Sequence, residues 1–246
     1  MINKNSNTFT LIFSAIMVVV VAVLLALAAI ALGPFQAQNV KMEKMQNILA
    51  SIGVKTDANA AEKLFNQYIK EQVVLNTKGE KINNNIPAFD IDLKKELDKT
   101  KTGKADKQMF PLFVLNKDDK LYYVIPVRGK GLWGPIWGYV AMEGDMNTVH
   151  GASFGHKGET PGLGAEIDTE EFQKQFVGKR IFDDSGNFVS IKVIKGGAAE
   201  EDVHGVDAIS GGTITSNGVD EMLKRTLGNY VPYFKTTNKN DSAKLK

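Results

Sequence analysis

The chain has 246 residues, with 30 Lys and Arg against 28 Asp and Glu, and a formal net charge of +2. The charges are spread along the chain rather than gathered in a basic block, so no nucleic-acid partner is expected. Cysteine is absent, which excludes thiolate-ligated iron–sulfur clusters, Cys-type zinc sites, disulfides and cysteine nucleophiles.

Residues 1–10 form a short polar stub, and Leu11 to Leu32 is a continuous apolar run in which Ser14 is the only polar side chain. At about 1.5 Å per residue the run reaches roughly 33 Å, enough to cross a hydrocarbon core of ~30 Å as a helix. Its length favours a retained span over a cleaved signal, whose apolar region is shorter. Gly33-Pro34 is expected to break the helix. The span holds no ionisable residue and so offers no intramembrane ion or proton site. Lys4 before the span and Lys41 after it favour a cytoplasmic stub with the large domain outside.

Residues 33–107 read as a juxtamembrane and helical linker region. Met42, Met45, Ile48 and Leu49 recur at helical spacing, and Leu64, Tyr68 and Ile69 predict a second helix over 60–74. Residues 78–85 form a polar loop, and 90–107 are rich enough in Lys and Asp to predict a solvated helix or linker. From 108 to 235 the pattern changes. Residues 109–115 and 121–127 are apolar runs separated by Asn116-Lys117-Asp118-Asp119-Lys120, a hairpin signal. Further strands are expected at 136–142, 149–154 and 188–195, and an amphipathic helix at 168–177. The fold class is α+β, with a mostly antiparallel sheet and flanking helices. Residues 236–246 are expected to be a disordered tail.

Three loops concentrate residues suited to chemistry. Gly129–Gly138 is a tight turn carrying Trp133 and Trp137, either of which could stack on an aromatic ligand or simply serve the core. His156–Glu166 contains Glu159, Thr160, Gly162, Leu163 and Gly164, where small residues would admit a planar ligand; it also suits a plain connection. Asp207–Gly218 contains Ser210, Gly211, Gly212, Thr213, Thr215 and Ser216. Its two glycines let backbone N–H groups approach an anion, and four hydroxyls surround them. Val219, Met222, Leu223 and Leu227 then mark a helix, with Ser216 or Asn217 as its expected N-cap, so a phosphate in the loop would meet the helix's positive end. On these residues alone a capped turn without ligand fits equally well.

Two other motifs are set aside. Gly151-Ala152-Ser153-Phe154-Gly155 matches a nucleophile elbow, but Gly155, Gly158 and Pro161 prevent the helix that must follow the serine. Gly162-Leu163-Gly164 lacks the third glycine and preceding strand of a dinucleotide fingerprint. His156 and Glu159 sit on too loose a loop to define a metal site, so no metal is expected.

Taken together, these residues resemble one family. The chain is similar to NqrC, the membrane-anchored flavin subunit of sodium-translocating NADH:quinone oxidoreductases, over nearly its whole length: the single span, the Met45-Gln46-Asn47-Ile48-Leu49 segment and an FMN-binding domain. The most specific matches are Gly158-Glu159-Thr160-Pro161-Gly162-Leu163-Gly164-Ala165-Glu166 and Ser210-Gly211-Gly212-Thr213. The second motif is usually Ser-Gly-Ala-Thr in the family, and here Gly212 replaces the alanine. The resemblance implies FMN joined covalently through its phosphate to Thr213 by a flavin transferase, with FAD as donor. It also implies that Ser210, Gly211, Gly212, Thr215 and Ser216 surround the phosphate, while Glu159, Thr160, Gly162, Leu163, Gly164 and Trp133 lie near the isoalloxazine. The implied role is an electron carrier among the other subunits of a complex in the bacterial inner membrane, which couples NADH oxidation and quinone reduction to Na+ export. The FMN-carrying G subunit of Rnf-type complexes is the alternative within this resemblance. A membrane-tethered ligand-binding or scaffolding protein is the alternative outside it.

Overall fold

A computed structural model describes residues 6–83 and 86–244, with side chains described as far as 237. Part of the stub, including Lys4, and the last two residues of the tail therefore lie outside the described residues. The chain divides into two compact units, 1–44 and 45–246.

The first unit is the exposed part of helix α1, Asn7–Ser51. Its apolar side chains are bare, with Leu11, Leu25 and Ile30 all more than half exposed, and it is long and apolar enough to cross a membrane. The expected break at Gly33-Pro34 does not occur, because Pro34 lies inside the continuous helix. A proline removes one donor from the ladder and usually kinks the helix. A Cβ on Gly33 would meet nothing within 4 Å, so the helix passes this point without a tertiary neighbour to satisfy.

The second unit begins with the last turns of α1, where Met45, Ile48, Leu49 and Ser51 are buried. Helix α2, Ala58–Tyr68, is capped by Asp57, whose side chain accepts the Ala60 N–H. The helix expected over 60–74 stops there, and Ile69–Leu75 is strand β1 instead. Ile69, Val73 and Val74 satisfy a helical period as well as a strand, and antiparallel pairing of β1 with β2, Phe110–Lys117, decides the matter. Where a solvated helix or linker is expected over 90–107, the chain forms a short helix α3, Leu93–Asp98, and 3₁₀ turns. Glu96 is buried there, accepting from Lys99 and from the Met109 N–H.

β1 and β2 continue into β3 (Lys120–Lys130), β4 (Pro135–Met142) and β5 (Val149–His156), a five-stranded antiparallel meander in chain order. β1 comes from the 33–107 stretch, so that stretch and 108–235 share one sheet. Asp118 and Asp119 take φ of 52° and 59°, the left-handed pair that a two-residue hairpin turn requires. Both faces of the sheet are covered. On one, Leu112, Val114, Ile125, Val127 and Val140 join Val219, Met222, Leu223 and Leu227 of helix α5, Thr213–Gly228. On the other, Phe113 packs edge-on against Phe65 and Phe89, with centroids 6.4 Å apart in each pair.

The Gly151–Gly155 motif lies in strand β5 and is used for packing. A Cβ on Gly151 would sit 2.5 Å from the Ser51 carbonyl, and one on Gly155 would sit 3.0 Å from Trp137 Nε1. Ser153 Oγ donates to Asn47 Oδ1. Beyond the sheet, helix α4 is only Glu170–Lys174, shorter than the 168–177 expected. The strand expected over 188–195 narrows to β6, Lys192–Ile194, which pairs in parallel with β7, Gly205–Asp207. Helix α6 runs Val231–Lys244, with Tyr233 and Phe234 buried in its first turn.

Candidate functional site

Helix α5 starts earlier than the sequence suggests. Gly212, rather than Ser216 or Asn217, is its N-cap, and no side chain caps it. The first N–H groups of an α-helix have no partner within the helix, and here no side chain competes for them. Thr213 is the first residue of α5 and is exposed. Gly211 turns the chain into the helix at φ 74°, a conformation that favours glycine.

Beside this turn lies a cavity of about 460 Å³, and Ser210, Gly211, Thr213 and Ser216 line it. The parallel pairing of β6 with β7 sets Ile194 opposite Asp207, and so brings Lys195, Gly196 and Gly197 to the same cavity. Sequence reasoning missed that second turn. Its signal was a Lys-Gly-Gly at the end of an apolar run, but two three-residue strands are too short to announce their pairing. The cavity is thus lined by Lys195 and Asp207 together with the positive end of a helix, and Asp207 Oδ1 is already engaged by the Ala198 N–H, a setting that admits an anion.

Thr213 and Thr215 are two residues apart and differ sharply. Thr215 is only 2% exposed, and its hydroxyl donates to Glu159 Oε2 at 2.6 Å. It does not line the cavity. Ser216 does, but its Oγ already accepts the Ile209 N–H at 3.1 Å. Thr213 is therefore the cavity threonine whose side chain is exposed.

Glu159 is the centre of a second cluster. The residue is 5% exposed; its Oε1 accepts the N–H of Trp133 at 2.9 Å and that of Gly134 at 3.3 Å. Its own N–H donates to His156 Nδ1. Burial pushes the carboxyl up, but the Thr215 hydroxyl and the N–H groups of Trp133, Gly134 and Leu132 outweigh it, holding the group below its ordinary value. Two glycines make room for it. A Cβ on Gly131 would lie 2.6 Å from Oε1, and one on Gly164 would lie 2.6 Å from Oε2 and 2.5 Å from Thr215 Oγ1. Glu159 thus faces the Trp133 turn with Oε1 and Thr215 with Oε2.

The remaining sequence candidates fall around these two clusters. Leu163 is 41% exposed and lies over Gly211, where a Cβ would come within 2.6 Å of its Cδ2. Gly164 is buried under Thr215, and Gly212 is buried with Ile209 beside it. Thr160 and Gly162 are exposed, and the Gly162 N–H donates to Glu166 Oε1. Trp133 is 70% exposed at the tip of its turn, whereas Trp137 is half-buried opposite Gly155 in the sheet. The three loops singled out in the sequence converge at the N-terminus of α5. Among the described residues no group of acidic, histidine or cysteine side chains is arranged to hold a metal.

This fold and site define an FMN-binding domain: residues 131–228, from the Trp133 turn to the end of α5, match the family model described as "FMN-binding domain". The C subunit of the Na(+)-translocating NADH-quinone reductase of Vibrio anguillarum is 34% identical over 237 residues, covering 92% of each chain. Its counterpart from Pseudomonas aeruginosa is 33% identical over 246 residues, covering 93% of this chain and 94% of its own. The crystal structure of the Parabacteroides distasonis counterpart superposes with a TM-score of 0.72 at 44% identity, covering 81% of this chain and 95% of that one. That of Shewanella oneidensis NqrC gives 0.69 at 30% identity, covering 82% and 99%. The chain belongs to the NqrC family of Na(+)-translocating NADH-quinone reductase subunits.

Proposed function

We propose that this chain is an electron-carrying subunit of a Na+-exporting NADH:quinone reductase, with FMN held through a phosphoester to Thr213. The observation that carries this reading is the exposed hydroxyl-bearing Thr213 at the uncapped start of α5, beside a cavity that also receives Lys195. An esterified phosphate is an anion, and the residues present fit one: unclaimed helix N–H groups, a positive side chain and a glycine turn with no bulk. FMN when bound supplies transfer of one or two electrons; the protein supplies position and electrostatics.

In this reading Gly211 and Ser210 shape the turn around the phosphate, Gly212 lets α5 begin beneath it, and Ser216 braces the turn by accepting from Ile209. Leu163, with Thr160, Gly162 and Gly164 in the same loop, and Trp133 across from it, form the walls toward the isoalloxazine. Thr215 faces Glu159 and is not the attachment residue. Helix α1 anchors the chain in the bacterial inner membrane as a single span, with the soluble unit on the outer side. A flavin transferase matures it, and the other subunits of the reductase exchange electrons with it.

The test uses the full-length chain, produced with a flavin transferase active in the compartment that receives the soluble unit. Flavin fluorescence in the denatured band, and mass mapping of one FMN to Thr213, are the expected results. Thr213→Ala is expected to give a dark band. Flavin persisting on denatured Thr213→Ala, or mapping to Thr215, would overturn the assignment.

A further inference from the structure

The flavin site is built from segments far apart in sequence: the Trp133 turn, the Thr160–Gly164 loop and the first turn of α5. Short loops of this kind fluctuate unless something fixes them to each other. One buried side chain reaches two of them and belongs to the third. Glu159 holds the Trp133 and Gly134 N–H groups with one oxygen and the Thr215 hydroxyl with the other. Gly131 and Gly164 are placed so that any side chain there would collide with that carboxylate.

We infer that Glu159 is a positioning residue: it locks the Trp133 turn to the first turn of α5, and so fixes the wall of the flavin site relative to the attachment point at Thr213, without touching the flavin itself. The chemistry of the link supports this. A carboxylate bonded by several donors is a strong, directional acceptor, and charge-assisted bonds of this kind are about twice as strong as neutral ones. The bond to Thr215 also turns that residue inward. Its neighbours Thr213 and Ile214 are left on the exposed side of the same turn, Ile214 being 56% exposed. Glu159 thus acts on the cofactor only through the loops it holds.

This inference rests on the FMN reading for its consequence, but the link itself can be measured without flavin. The experiment is amide hydrogen exchange on the full-length chain in detergent, as wild type and as Glu159→Ala, Glu159→Gln and Thr215→Val, each with and without attached flavin. Glu159→Ala is expected to speed exchange at Trp133 and Gly134 at least tenfold, while core amides of β3 and β4 stay protected. Glu159→Gln keeps an oxygen for the same two N–H groups, and Thr215 Oγ1 can reverse its role to accept from the new amide, so much of the protection should return. Thr215→Val cuts the link at its other end and should give an intermediate result.

On the flavin-bearing fractions, fluorescence anisotropy of the attached flavin should fall in Glu159→Ala and recover in Glu159→Gln. Wild-type exchange at Trp133 and Gly134 in a folded Glu159→Ala protein would overturn the inference. So would faster exchange with unchanged flavin anisotropy. If Glu159→Ala does not fold, the comparison of Glu159→Gln with Thr215→Val decides in the same way. Absence of flavin from the wild-type protein would refute the functional reading and leave the exchange result to judge the link.

Discussion

Gly218, in the second turn of α5, lies directly on the main-chain carbonyl of Lys130 in β3, leaving no room for a Cβ between them. Gly129 in the same strand does likewise for Met222, whose Cβ would be 2.7 Å away. The helix that presents Thr213 is therefore seated on the sheet by backbone contact, glycine to strand. A methyl at Gly218 would meet backbone, which cannot swing aside. Gly218→Ala is expected to destabilise the soluble unit by about 1–3 kcal/mol, even though alanine is the better helix former. At the far end of the helix, Gly228→Ala meets only Phe188 Cε1 at 3.5 Å, and should be neutral or stabilising by up to about 1 kcal/mol. Urea titration of the two variants checks both signs.

Gly212→Ala adds a methyl at the N-cap of α5. Its Cβ would sit 3.0 Å from Ile209 Cγ2 and 3.4 Å from the Gly164 N, and φ of −99° is open to any residue. Ile209 is half-buried and can yield a few tenths of an ångström. The expected outcome is a stability change within about 1 kcal/mol and flavin attachment as in wild type, read from the urea midpoint and the fluorescent band.

Tyr230 is fully buried, and its hydroxyl donates to the Pro111 carbonyl at 2.7 Å, tying the end of α5 to strand β2. Burial pushes its phenol well above the ordinary value. Tyr230→Phe keeps the packing against Phe110 and Phe234 and leaves an acceptor short of one donor. A loss of about 1–2 kcal/mol is expected, measured by thermal or urea unfolding.

Acid should weaken the protein in part through Glu159. Its carboxyl is held below its ordinary value of 4.5. The stability it contributes is thus fully present above that value, and it drains away as pH falls from 4.5 through the lower folded-state value. Glu159→Gln removes this titration. The gap in urea midpoint between wild type and Glu159→Gln should narrow on going from pH 6.5 to pH 3.5. A gap that stays constant or widens would contradict the ionised state assigned to the buried carboxyl.

Much of the sheet was legible because its strands are apolar runs and the turn between the first two carries its own signal at Asp118 and Asp119. Ile69–Leu75 was not, since Ile69, Val73 and Val74 also continue the spacing of Leu64 and Tyr68, and only the edge of β2 tells the two apart. The early start of α5 escaped notice because Thr213 and Thr215 are weak helix formers and Ser216 looks like a cap; Gly212 performs that role with no side chain at all. The hydroxyl loop itself stood out by composition. Its partner turn at Lys195 did not, because a chance-like Lys-Gly-Gly acquires meaning only through pairing of two very short strands. Residue pattern alone does not separate Thr213 from Thr215, although the resemblance to NqrC points to Thr213, and it does not show that Glu159 faces the protein. Burial shows that Thr213 is exposed and that Thr215 and Glu159 are not.

The backbone seating of α5 has a mechanical consequence. A group esterified at Thr213 would hang from the end of a rod whose flank is bolted to the sheet, so the anchor point has almost no play. Whatever swing such a group has must come from the single bonds of its own leash. Any acceptor or donor of electrons would have to come within that short radius of Thr213.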